Sequence, residues 1–117
     1  MTVRRIVSNL AADKVSDVRD FYAQLFDLEV AMDQGWIVTL TSGETSPAQL
    51  SIASEGGSGT PVPDLSIEVD DVDAVLARAQ ALKHEIAYPM TDEPWGVRRF
   101  FLRDPTGKLI NVMSRTR

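Results

Sequence analysis

The chain contains no cysteine. Disulfides, thiolate zinc sites, iron–sulfur clusters and cysteine nucleophiles are therefore excluded. It holds a single histidine, His84. No apolar run approaches the roughly 20 residues that a membrane-spanning helix needs. Met1 to Ile6 places two arginines before a short mixed stretch, without the apolar core of a signal peptide. Positive charge is in deficit. Twelve Lys and Arg stand against seventeen Asp and Glu, a net charge of −5, and the pI is near 4.7. That balance argues against non-specific binding to nucleic acid or to an anionic membrane, although a local basic cluster still suits a small anion. A phosphate loop, a GxGxxG after the first strand, a GxSxG elbow and an HExxH pair are all missing. A cytoplasmic location fits these absences.

What is present suits a folded domain. Hydrophobic residues make up 44% of the 117 positions and charged residues 25%, ordinary values for a globular chain with one core. Val3–Leu10 has strand-like spacing. A helix follows, with Asp13 or Ser16 as its expected cap. Val15, Val18, Tyr22, Leu25 and Phe26 share one helical face. Leu28–Met32 reads as a short strand and Asp33-Gln34-Gly35 as a turn. Trp36–Leu40 and Gln49–Ala53 read as further strands. Glu55–Pro63, EGGSGTPVP, reads as a flexible connector at the middle of the chain.

The second half repeats this order. Leu65–Val69 reads as a strand ending at Asp70-Asp71, with Asp70 as the expected helix cap. Val72, Val75, Leu76, Ala79 and Leu82 form the helix face. Ile86–Tyr88 reads as a strand closed by Pro89. Arg99–Arg103 and Leu109–Met113 pair around the turn Asp104-Pro105-Thr106-Gly107. Asp17-Val18 and Glu29 of the first half recur as Asp71-Val72 and Glu85 at offsets of 54–56 residues. A repeat of that length implies two βαβββ units. Neither half buries a sufficient core alone.

Three segments carry a family resemblance. Asp20-Phe21-Tyr22-Ala23-Gln24-Leu25-Phe26-Asp27-Leu28-Glu29-Val30, after Asn9-Leu10, resembles an FYxxxLGxxV pattern, with Phe26-Asp27 in place of Leu-Gly. Leu65-Ser66-Ile67-Glu68-Val69-Asp70-Asp71-Val72 resembles the second module's entry. Pro94-Trp95-Gly96-Val97-Arg98, with Phe101-Leu102-Arg103-Asp104-Pro105-Thr106-Gly107-Lys108-Leu109-Ile110, resembles its closing hairpins. Together they resemble the vicinal oxygen chelate superfamily of glyoxalases, bleomycin-resistance proteins and extradiol dioxygenases, over nearly the whole chain. The resemblance implies an α+β fold: two βαβββ modules whose curved mixed sheets enclose a cup-shaped cavity, commonly in a homodimer. Residues 1–117 then form a single domain, with module 1 at about 1–54, a linker at 55–63 and module 2 at about 64–117.

In the enzymes of this superfamily, His and Glu ligands from four strands hold a divalent metal. Carried over position by position, those ligands fall near Val7, at Gln49 or Ser51, at Asp64 and at Asn111. Only Asp64 is a strong ligand type, so no metal and no other cofactor is expected. His84, at a helix end, reads as a dipole partner or a solvent-exposed side chain.

A cup without a metal needs apolar surface and a few converging polar groups. Trp36, Tyr88, Trp95, Phe100 and Phe101 supply aromatic surface. Gln49, Asp64, Arg98, Arg99 and Asn111 supply polar groups. In metal-free resistance-type relatives a PWGxR-like segment lies at the cavity wall, so Trp95-Gly96 is the most informative pair. Trp36 reads more simply as core or interface packing. Alternation turns one of Arg98 and Arg99 inward, to pair with Asp64, Glu68 or an anionic ligand. Asp70, Asp71 and Asp73 read as helix-end carboxylates, and Asp92-Glu93 as a solvated loop. The leading expectation is a metal-independent protein that binds an aromatic or cationic small molecule. The alternatives are a metal-dependent lyase, isomerase or dioxygenase with a rearranged site, and a non-catalytic dimer module.

Overall fold

The computed structural model describes residues 7–45 and 51–116. The chain divides into two compact units, Met1–Ser54 and Glu55–Arg117.

In the first unit, α1 (Val15–Phe26) packs on a two-stranded antiparallel sheet of β1 (Glu29–Asp33) and β2 (Val38–Thr41). Phe21, Tyr22 and Leu25 are the buried residues of α1. The buried stripe thus includes Phe21 and leaves Val15, Val18 and Phe26 only half-buried. The Phe21 and Tyr22 rings meet edge to face at 5.1 Å. The helix starts without a side-chain cap: Lys14, not Asp13 or Ser16, is the N-cap. At its other end Asp27 adopts the left-handed conformation (φ 56°, ψ 48°), and its N–H donates to Ala23 O. This position favours glycine, and Asp is among the few other residues that tolerate it. The Asp27 that breaks the FYxxxLG pattern therefore does the glycine's conformational work. The turn after β1 is closed by Gly35 N–H donating to Asp33 Oδ1 at 2.9 Å.

Three strand expectations change here. Residues 3–6 of the expected first strand lie outside the described residues, and Val7–Leu10 take no strand conformation. Gln49 and Leu50 likewise lie outside them, and Ser51–Ala53 form no strand. Trp36 precedes β2 and is 74% exposed, so it is not core.

The second unit is a βαβββ module. Its elements are β3 (Leu65–Glu68), α2 (Val72–Ala81), β4 (Ile86–Glu93), β5 (Val97–Arg103) and β6 (Leu109–Arg115). They form a four-stranded mixed sheet in the order β3-β6-β5-β4, with β3 parallel to β6 and the other pairs antiparallel. Side chains alternate across a strand, and the register sorts them into two faces. Arg98, Phe100 and Leu102 share one face with Ile110, Val112 and Ser114. Here α2 packs: Val72 N–H donates to Ser114 Oγ at 3.0 Å, and Arg98 reaches Asp73. Phe100, Leu102, Ile110 and Val112 are fully buried, the centre of this unit's core. The helix-free face carries Val97, Arg99 and Phe101, with Asn111 opposite Phe101 and Ser66 beside Asn111.

Local chemistry sets the element ends. Asp71, one residue beyond the expected cap, accepts from Ala74 N–H at 3.1 Å and starts α2. His84 follows the end of α2 and is half-buried; its backbone N–H donates to Ala79 O. Pro89 does not end β4, which runs on to Glu93 through irregular pairing between Tyr88 and Thr91. An edge strand tolerates proline because its outer N–H groups have no ladder partner to lose. The turn from Asp104 to Gly107 forms as expected. Asp104 Oδ1 accepts from Thr106 N, Thr106 Oγ1 and Lys108 N at 2.7–2.9 Å.

Candidate functional site

The hairpin joining β4 to β5 builds the site. Pro94 presets the turn, Gly96 N–H donates to Glu93 O, and Gly96 takes φ 84°, a value a side chain rarely permits. Trp95 is thereby held at the apex with half of its surface exposed. Directly behind it lies Arg99, only 4% exposed.

Arg99 is enclosed by rings and acceptors. Its guanidinium carbon stands 4.8 Å from the Phe101 ring centre, 5.0 Å from Trp95 and 5.4 Å from Tyr88. These are cation–π distances. Arg99 Nη2 pairs with Glu93 Oε2 at 2.7 Å, and Glu93 is itself buried. Arg99 Nη1 donates to Gly56 O at 2.7 Å, and Nη2 to Gly57 O at 3.2 Å. Glu93 also accepts from Ser58 Oγ at 3.0 Å and from Tyr88 Oη at 3.2 Å. A buried guanidinium in water-poor surroundings requires such pairing.

The connector is therefore not free-standing. Its Gly56–Thr60 portion folds back on itself, Gly56 N–H to Thr60 O at 2.8 Å and Thr60 N–H to Gly57 O at 3.0 Å, and Arg99 and Glu93 fasten it to the sheet. Gly57 sits at φ 85° against the indole: an added Cβ would lie 2.8 Å from Trp95 Cη2. Only glycine fits this approach.

The expected site residues separate into two groups. Tyr88, Trp95, Arg99 and Phe101 come together, and Asn111 shares their sheet face. Asn111 is 7% exposed. Its Nδ2 donates to Ser66 Oγ at 3.1 Å, while its Oδ1 is buried with no partner. Arg99 Nε is the other buried side-chain polar atom without a partner among the described residues. Arg98 and Asp64 stand apart. Arg98 lies on the helix side and pairs with Asp73 at 2.8 Å and Asp92 at 3.2 Å, both exposed. Arg98 holds the Asp73 carboxyl below its ordinary value, chiefly through this hydrogen bond. Asp64 ties the start of β3 to β6, its Oδ2 accepting from Leu109 N–H at 2.8 Å. The inward arginine thus pairs with Glu93, not with Asp64 or Glu68; Glu68 instead meets Arg115 on the surface. Glu93 was also not a solvated loop residue. The sequence holds only a partial signal, two acids before Pro94-Trp95-Gly96 and two arginines after it, of which the hairpin sets Asp92 opposite Arg98 but Glu93 opposite Val97, diagonal to Arg99.

The residues at the superfamily's metal positions do not suit a divalent cation. Val7 is an exposed apolar side chain and Ser51 an exposed hydroxyl. Asp64 is engaged by the Leu109 N–H, Asn111 offers only a neutral amide oxygen, and Gln49 lies outside the described residues. Among the described residues no three His, Asp or Glu side chains gather where they could hold a metal ion. No helix among them is long and apolar enough to cross a membrane.

The second unit thus sets a helix on one face of its sheet and an aromatic–polar cluster on the other, and the chain has the glyoxalase-like α+β fold. The chain belongs to the Glyoxalase/Bleomycin resistance protein/Dioxygenase superfamily, whose family model matches residues 4–112. It is similar in structure to TioX from Micromonospora sp. ML1, with TM-score 0.69 and 24% identity over 97% of each chain. It is also similar to a lactoylglutathione lyase from Agrobacterium tumefaciens, with TM-score 0.66 and 21% identity over 90% of this chain and 88% of that one. TnmS3, an antibiotic binding protein from Streptomyces sp. CB03234, has TM-score 0.65 and 22% identity over 94% of this chain and 98% of that one. No curated protein matches the chain.

Proposed function

We propose that this protein binds a planar aromatic, cationic small molecule without a metal and without turning it over. The observation that carries the reading is Trp95. Arg99 stands over its indole and Gly57 packs against it, while half of the residue's surface stays exposed at the hairpin apex. A braced indole is a stacking platform that loses little freedom when a ligand arrives. Glu93 neutralises Arg99 locally, and the net charge of −5 favours a cation over an anion. The likeness to TnmS3, an antibiotic binding protein, supports a small-molecule ligand. The donor set at the metal positions supports metal independence. The proposal includes a homodimer, the assembly the superfamily resemblance implies, and a cytoplasmic location, which a chain without cysteine fits.

Native mass spectrometry tests this with proflavine, a planar aminoacridine cation, as the probe. The expected spectrum shows one proflavine per chain, no divalent metal, and unchanged occupancy after EDTA. One tightly held divalent ion per chain, with proflavine excluded, would instead favour the lyase or dioxygenase reading.

A further inference from the structure

Asn111 carries an unspent hydrogen bond. It lies on β6 opposite Phe101, on the helix-free face that also carries Arg99. Its amide is held by Ser66 on β3, which takes the Nδ2 donor. The Oδ1 acceptor is left buried and alone. Leaving a buried amide oxygen unsatisfied costs about 1–3 kcal/mol. An apolar side chain of similar size carries no such cost, and Phe101, directly opposite on β5 and on the same face, is apolar and buried. The bond to Ser66 engages the donor but leaves the acceptor's cost unmet, and in this Asn111 differs from Asp64 and Asp104, whose carboxylate oxygens are engaged by backbone N–H groups.

We infer that Asn111 is the specificity-determining acceptor of the site, selecting ligands that present an N–H or O–H donor beside their aromatic plane. The inference rests on the binding reading above and narrows it. A ligand with such a donor satisfies Oδ1. A ligand whose donor is capped by methyl groups buries Oδ1 more deeply and leaves it unpaired. Buried polar groups discriminate strongly in this way, because the wrong ligand leaves them without a partner.

The test compares proflavine, which has two primary amines and a protonated ring nitrogen, with ring-N-methylated acridine orange, the same cationic ring with both amines dimethylated and no N–H left. Isothermal titration is run on the wild type, Asn111→Leu and Asn111→Asp. The wild type is expected to prefer proflavine by about fivefold or more. Asn111→Leu is expected to lose that preference while its ligand-free thermal midpoint holds or rises. Asn111→Asp keeps an acceptor and is expected to widen the preference, which supplies the answer if the leucine variant does not fold. A merely structural Asn111 would lower the thermal midpoint on substitution and leave the ratio of affinities alone. If both dyes bind equally to the wild type, or the preference survives in Asn111→Leu or fails to widen in Asn111→Asp, the inference is overturned and the binding reading stands. If neither dye binds, the binding reading falls and takes this inference with it.

Discussion

Arg98 and Arg99 are neighbours in the chain and opposites in the structure. Arg98 points to the helix side, where Asp73 and Asp92 meet it in solvent. Arg99 points to the other side, where three rings, one carboxylate and two carbonyls enclose it. The two have identical chemistry, but water does the work for one and protein for the other. An exposed ion pair gains little, because solvent and salt screen it and two long side chains must be fixed. A buried pair is different. Removing one member strands the other charge in a poor solvent. The pair thus serves position more than stability: Arg99 fixes the connector loop and Trp95 together, whereas Arg98 decorates a helix end.

The largest effect expected from breaking this contrast is at the buried pair. Arg99→Met or Glu93→Leu alone should cost about 3–5 kcal/mol, measured by urea unfolding. The double variant Arg99→Met with Glu93→Leu should cost less than either single one, since no charge is then stranded. Additive losses would show that the two side chains act independently.

A gentler change separates holding from folding. Arg99→Lys keeps a cation but loses the flat fork that reaches Gly56 O, Gly57 O and Glu93 at once. Its proflavine affinity should fall about tenfold with the far-ultraviolet dichroism of a folded chain, if one hydrogen-bonded brace on Trp95 is lost. Affinity equal to the wild type would remove Arg99 from the positioning of Trp95.

On the exposed side, Arg98→Ala should leave both the unfolding midpoint and proflavine binding close to wild type. Its smallest and most specific consequence is electrostatic. Arg98 lowers the Asp73 carboxyl from its ordinary 3.8, so the folded state binds that proton less readily than the unfolded chain. The resulting stabilisation is present above the ordinary carboxylate range and is lost as pH falls through the lowered value. In Arg98→Ala the Asp73 titration, followed by carboxyl NMR, should move back up towards 3.8. An unmoved titration would mean that Arg98 does not set it.

How much of this was legible beforehand follows the same division. Period and turn chemistry marked α1, α2, the Asp104–Gly107 turn and the β5–β6 pairing, because those signals are local. Alternation also showed that one of two consecutive arginines must face inward. Its partner was not legible, because Glu93 comes into register only when β4 continues past Pro89. The edge position that tolerates the proline is a tertiary fact. The connector misled for a similar reason. EGGSGTPVP has the composition of a flexible linker, but its glycines provide positive φ and close approach to Trp95. Asp27 shows the reverse case: a departure from the family pattern kept the backbone shape that the pattern encodes.

The central claim is that Trp95, braced by Arg99, is the surface on which the ligand stacks. Its most direct test is a fluorescence titration with proflavine in a Trp36→Phe background, where Trp95 is the only indole. Saturable quenching of Trp95 emission is expected, with a midpoint matching the calorimetric affinity and unchanged by EDTA. Full calorimetric binding with no change in Trp95 emission would contradict it.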